Sequence, residues 1–107
     1  MSAKMQIDEL LQSAENGSED AQYNLGLVFF NGEGVEQDYI SALFWFTKAA
    51  EQGSVEAQYC LGACYANGVV GEQDYIKATE WIMKSAEQGL AEAQCAIGMF
   101  YYYGRRS

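Results

Sequence analysis

Residues 21–56 and 57–92 align without a gap at a spacing of 36 residues, and 20 of the 36 paired positions are identical. No other feature restricts the fold so strongly. A unit this short cannot bury an apolar face alone, so copies must stack on one another and share a core. A further copy starts at Ala93 as Ala-Gln-Cys-Ala-Ile-Gly. Upstream, Ser13-Ala14-Glu15-Asn16-Gly17 echoes Ala49-Ala50-Glu51-Gln52-Gly53 and Ser85-Ala86-Glu87-Gln88-Gly89. The whole chain therefore reads as one domain, 1–107, with a partial repeat 1–20, repeats 21–56 and 57–92, and a partial repeat 93–107.

Each unit reads as two helices. The first, about Asp20 to Asn31, puts Ala21, Leu25, Val28 and Phe29 on one face at three- and four-residue spacing. Gly32 ends it where a left-handed residue is needed. After a loop, Asp38 caps the second helix by accepting from its free amides. That helix carries Ala42, Trp45, Phe46 and Ala49 as its apolar stripe and stops at Gly53. The same signals recur at Gly68, Asp74 and Gly89, and Ser2 is placed to cap a helix from Ala3 to Glu15. The expected fold is all-α, with six helices and no strand.

Small residues recur beside the large ones. Gly26, Gly62 and Gly98 sit inside first helices, where Gly costs about 1 kcal/mol relative to Ala. Their recurrence predicts close helix–helix approach, and Ala42 and Ala78 leave room in the same way. Trp45 and Trp81, Tyr39 and Tyr75, and Phe29 and Tyr65 are expected to fill the space between layers.

These residues resemble a known family. Ala21, Leu25, Gly26, Phe29, Gly32, Gly34, Val35, Asp38, Ala42, Trp45, Ala49, Ala50 and Gly53 follow the pattern of the Sel-one-like repeat, a relative of the tetratricopeptide repeat. Ala57, Leu61, Gly62, Tyr65, Gly68, Asp74, Ala78, Trp81, Ala86 and Gly89 follow it again. Val70-Gly71 stands where the first unit has Gly34-Val35, which bears on the turn geometry of the second loop and not on the fold. The resemblance implies a right-handed helical-repeat solenoid of about six antiparallel helices, an α/α superhelix. It also implies a non-enzymatic scaffold or adaptor that binds a peptide or protein in its concave groove. Members of the family act in bacterial signalling, host contact and eukaryotic protein quality control.

The residues point to one surface. Opposite the core face of each first helix, at about 100° per residue, project Tyr23, Leu27 and Phe30, then Tyr59, Ala63 and Ala66, then Cys95, Met99 and Tyr102. A solvated face here would be polar. In the resembled family first helices line the concave side, so these positions form an apolar stripe suited to a helical or extended peptide. Asn24, Asn31 and Asn67 are candidates to fix its register. The alternative is a helix buried on both sides. A second candidate surface is the end of the array, where no second helix follows Phe100-Tyr101-Tyr102-Tyr103. Either the chain is cut from a longer array, or Phe100 and Tyr103 pair with another copy as a homodimer, or the exposure is tolerated.

Chemistry is scarce. The chain has no His, so the commonest general base and metal ligand is missing. No phosphate-cradling glycine loop precedes a helix, and the carboxylates follow the repeat as caps and solvated faces. No catalytic residue, metal site or cofactor is expected. Cys60 and Cys64, four apart on one helix, are poorly directed for a disulfide. With Cys95 they are expected to be small core-filling thiols in a reducing compartment. Fifteen acidic residues against six basic ones give a net charge of −9, which disfavours nucleic acid and anionic membranes. The charge suits a basic or neutral protein partner, or simply maintains solubility. With no apolar span and no export signal in its N-terminal stretch, the chain is expected in the cytoplasm. The competing function is a small acidic inhibitor or immunity protein that blocks a basic partner site.

Overall fold

The computed structural model describes residues 3–106, with side-chain surroundings for residues 6–99 and for Tyr102. Among the described residues six helices follow one another: α1 (Ala3–Glu15), α2 (Glu19–Asn31), α3 (Tyr39–Glu51), α4 (Val55–Asn67), α5 (Tyr75–Glu87) and α6 (Ala91–Arg106). There is no strand among the described residues. The helices α2, α4 and α6 are the first helices of the repeat, and α1, α3 and α5 are the second. Each packs chiefly on its neighbours in sequence. The result is an elongated stack of 51 × 26 × 18 Å.

The caps explain why the helices begin and end where they do. The Ser18 and Ser54 side chains accept from the amides of Ala21 and Ala57 at 3.2 Å. Asp38 accepts from Ser41 N at 3.1 Å, and Asp74 from Lys77 N at 3.0 Å. Gly32 and Gly68 close α2 and α4 in the left-handed region, at φ +70° and +64°. The expected cap Ser2 lies outside the described residues.

The two long loops differ in their turns but share one closure. The first carries its second positive φ at Gly34 and the other at Gly71, one repeat position later. Even so, Asp38 N donates to Phe29 O at 2.9 Å and Asp74 N to Tyr65 O at 2.8 Å. The exchange of Gly-Val for Val-Gly shifts the turn by one residue and leaves its anchor in place.

The core is built from small residues against single large ones. Ala42, Phe46, Ala49, Ala50, Ala57 and Leu61 form one buried cluster, and Ala14, Ala21, Leu25 and Trp45 form another. Glutamines stitch the units together. Gln22, Gln58 and Gln94 each donate to the last turn of the preceding second helix, at Ala14 O, Ala50 O and Ala86 O. Gln22 and Gln58 in turn accept from Gln52 and Gln88 at 2.7 Å. Among the described residues no buried side-chain polar atom lacks a hydrogen-bond partner.

The expectations for Tyr39, Tyr75 and Cys95 need correction. Tyr39 and Tyr75 are exposed rather than packed between layers, because they open their helices at the loop edge. Cys95 is also exposed and fills no core.

The ends of the stack are unlike. The outer face of α1 has Gln6, Glu9 and Ser13, all exposed, where α3 buries Ala42, Trp45 and Ala49. That face is polar on α1 and apolar on α3. On α6, no described atom of a neighbour comes within 4 Å of a β-carbon built on Gly98. Among the described residues the expected close approach holds at Gly26 and Gly62 and not at Gly98.

Candidate functional site

A hollow of about 250 Å³ opens between α2 and α4. Its walls come from first helices: Leu27, Phe30 and Asn31 on α2, and Tyr59, Ala63 and Asn67 on α4. Phe46 of α3, Cys60, Cys64 and Val69 complete the lining. The hollow is a consequence of unequal repeats. Where α2 has Asn24, Leu27 and Val28, α4 has the smaller Cys60, Ala63 and Cys64. The bare Gly26 lets the Phe46 ring lie against α2 and reach the hollow.

Leu27, Phe30, Tyr59 and Ala63 are therefore brought together. Tyr23 stands aside, with its ring 6.1 Å from that of Phe46. Ala66 is half-buried outside the hollow, and Met99 and Tyr102 lie on α6, 51% and 56% exposed. The stripe on α2 and α4 is neither free nor fully buried. Phe30 leans on Tyr39 and Phe46, at 5.1 and 6.3 Å between ring centres, and keeps its other side in the hollow. Long side chains at a helix flank cover the adjoining helix as well as the groove. Phe100 and Tyr103 lie outside the described side chains.

Asn31 and Asn67 occupy the last residues of α2 and α4. The Asn31 amide donates to Glu33 Oε1 at 3.3 Å, which holds a carboxylate at that end of the hollow. At the other end, Tyr23 and Cys60 share a hydrogen bond and feel the Glu56 carboxylate. Burial raises the Tyr23 phenol above its ordinary value, with Cys60 and Glu56 adding to it. Burial also raises the Cys60 thiol, against the opposing Tyr23 hydrogen bond. The Cys64 thiol is pushed up to about 12 by burial and by the neighbouring Cys60. Both thiols stay protonated at neutral pH, which makes them apolar lining rather than nucleophiles.

Sequence reasoning missed Phe46, Cys60, Cys64 and Val69 as lining. The small residues of α4 set against the large ones of α2 carry that signal. It also missed Ile40 and Ile76, which are 71% and 75% exposed at equivalent positions on the second helices. The repeated Asp-Tyr-Ile marks them in the sequence. Among the described residues no group of three His, Cys, Asp or Glu is placed to hold a metal, and no helix is long and apolar enough to cross a membrane.

The Sel1 repeat family model matches residues 19–54, 55–90 and 91–106. Two similar solved structures superpose on nearly the whole chain. One is a protective antigen of uropathogenic Escherichia coli displaying an SLR fold, 42% identical with a TM-score of 0.88 over 92% of this chain. The other is a Sel1 repeat protein from Oxalobacter formigenes, 34% identical with a TM-score of 0.90 over 96% of this chain. The chain spans 21% and 42% of those two proteins. No curated protein sequence matches it. Two matched repeats over the helix pairs α2–α3 and α4–α5, and a third match over α6, establish that the chain belongs to the Sel1 repeat family.

Proposed function

We propose that this chain is a non-enzymatic scaffold that holds a segment of a partner protein on the face of its first helices, with the hollow between α2 and α4 as the anchoring point. Proteins of the Sel1 repeat family generally serve as protein–protein interaction scaffolds. The observation that carries the finer reading is the apolar hollow itself, which two stacked first helices leave open beside a packed core. A side chain seated there is removed from water on several sides, which is how anchor residues gain affinity. The acidic-inhibitor reading would place the contact on charged rather than apolar surface.

The test is to select peptides from an unbiased display library on the native chain and measure them against Ala63→Leu. The first repeat already carries Leu27 at the equivalent position, so this substitution fills the hollow in a way the fold accepts. Loss of binding by tenfold or more, about 1.4 kcal/mol, supports the site. Unchanged affinity removes it.

A second reading is pairing of copies through α6, where no described neighbour lies within 4 Å of a β-carbon built on Gly98. Light scattering across a concentration range tests it. A mass that climbs from 11.9 kDa to twice that value supports pairing, and a constant 11.9 kDa excludes it.

A further inference from the structure

The four lysines are unevenly placed. Lys4 lies in α1, Lys48 in α3, and Lys77 and Lys84 in α5, so every one belongs to a second helix. Three of them are drawn over rings: Lys48 over Phe44 at 5.0 Å, Lys77 over Tyr65 at 5.4 Å and Lys84 over Trp81 at 4.7 Å. The helices that wall the hollow, α2 and α4, contain no Lys or Arg at all.

Two carboxylates lie outside the lining but next to residues of it. Glu33 is tied to the lining residue Asn31. Glu56 sits one helical turn before the lining residue Cys60, on the same face of α4. Along α4 the rise from Glu56 to the lining residue Asn67 is ~16 Å, a span that a short peptide crosses. Glu33 lies in the loop after α2 and Glu56 in the first turn of α4, a helix without lysine, and both are exposed. An apolar floor beside two exposed carboxylates selects its occupant by charge as well as by shape.

We infer that the segment held in this hollow is cationic: one apolar side chain seated between α2 and α4, with Lys or Arg on both sides of it facing Glu33 and Glu56. This rests on the reading of the hollow as the partner site. Apolar burial supplies the anchor, and the flanking charges orient the segment and reject acidic competitors.

The experiment uses short fluorescent peptides with a single Leu anchor and Lys, Gln or Glu flanks, measured by anisotropy at about 0.15 M salt. A fourth peptide keeps the Lys flanks and replaces Leu by Ser. The Lys-flanked anchor peptide should bind about tenfold tighter than its Gln-flanked counterpart, and the Glu-flanked one should not bind. The double variant Glu33→Gln, Glu56→Gln should erase most of the Lys advantage while leaving the Gln-flanked peptide unaffected. Equal affinity of the Lys and Gln peptides would overturn the inference and leave the hollow intact as an apolar site. Equal binding of the Ser peptide would overturn it as well, since charge alone would then suffice. If Ala63→Leu changes none of these affinities, the reading of the hollow fails, and the inference with it.

Discussion

Gly26 lies directly against the ring of Phe46: a β-carbon on it would come 2.5 Å from Phe46 Cδ1. At the next repeat a β-carbon on Gly62 would meet Ile82 and would stand 2.9 Å from the backbone oxygen of Ala78. At the third, no described neighbour comes within 4 Å of a β-carbon on Gly98. One motif position thus has three different surroundings, set at Gly26 and Gly62 by what the following second helix presents.

The same substitution should therefore change sign along the chain. Gly62→Ala should cost the most, about 1–3 kcal/mol, because a backbone oxygen cannot turn aside as a ring can. Gly26→Ala should cost less, since Phe46 borders the hollow and has room to move. Gly98→Ala should stabilise by about 0.5–1 kcal/mol through helix propensity alone. Urea unfolding of the three variants checks the order.

The glutamine relay gives a second prediction. Gln58 is buried, donates to Ala50 O and accepts from Gln88. Gln58→Ala should cost about 1–3 kcal/mol by removing both hydrogen bonds, although Ala50 O keeps Gly53 N as a donor. Gln94→Ala should cost clearly less, because Gln94 is exposed. Equal losses in the same unfolding assay would show that the relay does not set the stacking energy.

A third concerns pH. Asp38 has its carboxyl held below the ordinary 3.8 by the Ser41 side chain and then by the Ser41 amide. A depressed value means the cap stabilises the fold above the ordinary value and loses that contribution as pH falls through the folded one. Asp38→Asn keeps a cap acceptor without the charge. Its stability should lie below that of the native chain at pH 6, and the gap should narrow as pH falls below 3.8.

The thiols should label in a fixed order. Cys95 is exposed, Cys60 is half-buried with a raised value, and Cys64 is buried with its thiol near 12. Alkylation at pH 8 followed by mass spectrometry should modify Cys95 first and Cys64 last. Rapid labelling of Cys64 in the folded chain would show that the hollow opens more readily than its packing implies.

Much of this architecture is legible in the sequence because repetition multiplies weak local signals. Gly32 with Gly68 and Asp38 with Asp74 fix the helix ends, and the spacing of Leu25, Phe46 and Leu61 fixes the core. What repetition hides is the difference between copies. The hollow arises where Ala63 and Cys64 depart from Leu27 and Val28, and only the packing of Phe46 beside Gly26 turns that departure into a space. The exposure of Tyr39 and Tyr75 was illegible for a related reason. An aromatic residue just after a cap is the same in either setting, and the loop path decides whether it is covered.

The most direct test of the central claim is chemical-shift mapping of the uniformly labelled chain with a display-selected peptide. Perturbations confined to Leu27, Phe30, Tyr59, Ala63 and Asn67 are the predicted result. Perturbations centred on Ile40, Phe44 and Ile76, on the second helices, would contradict it and move the partner surface to the opposite side of the stack.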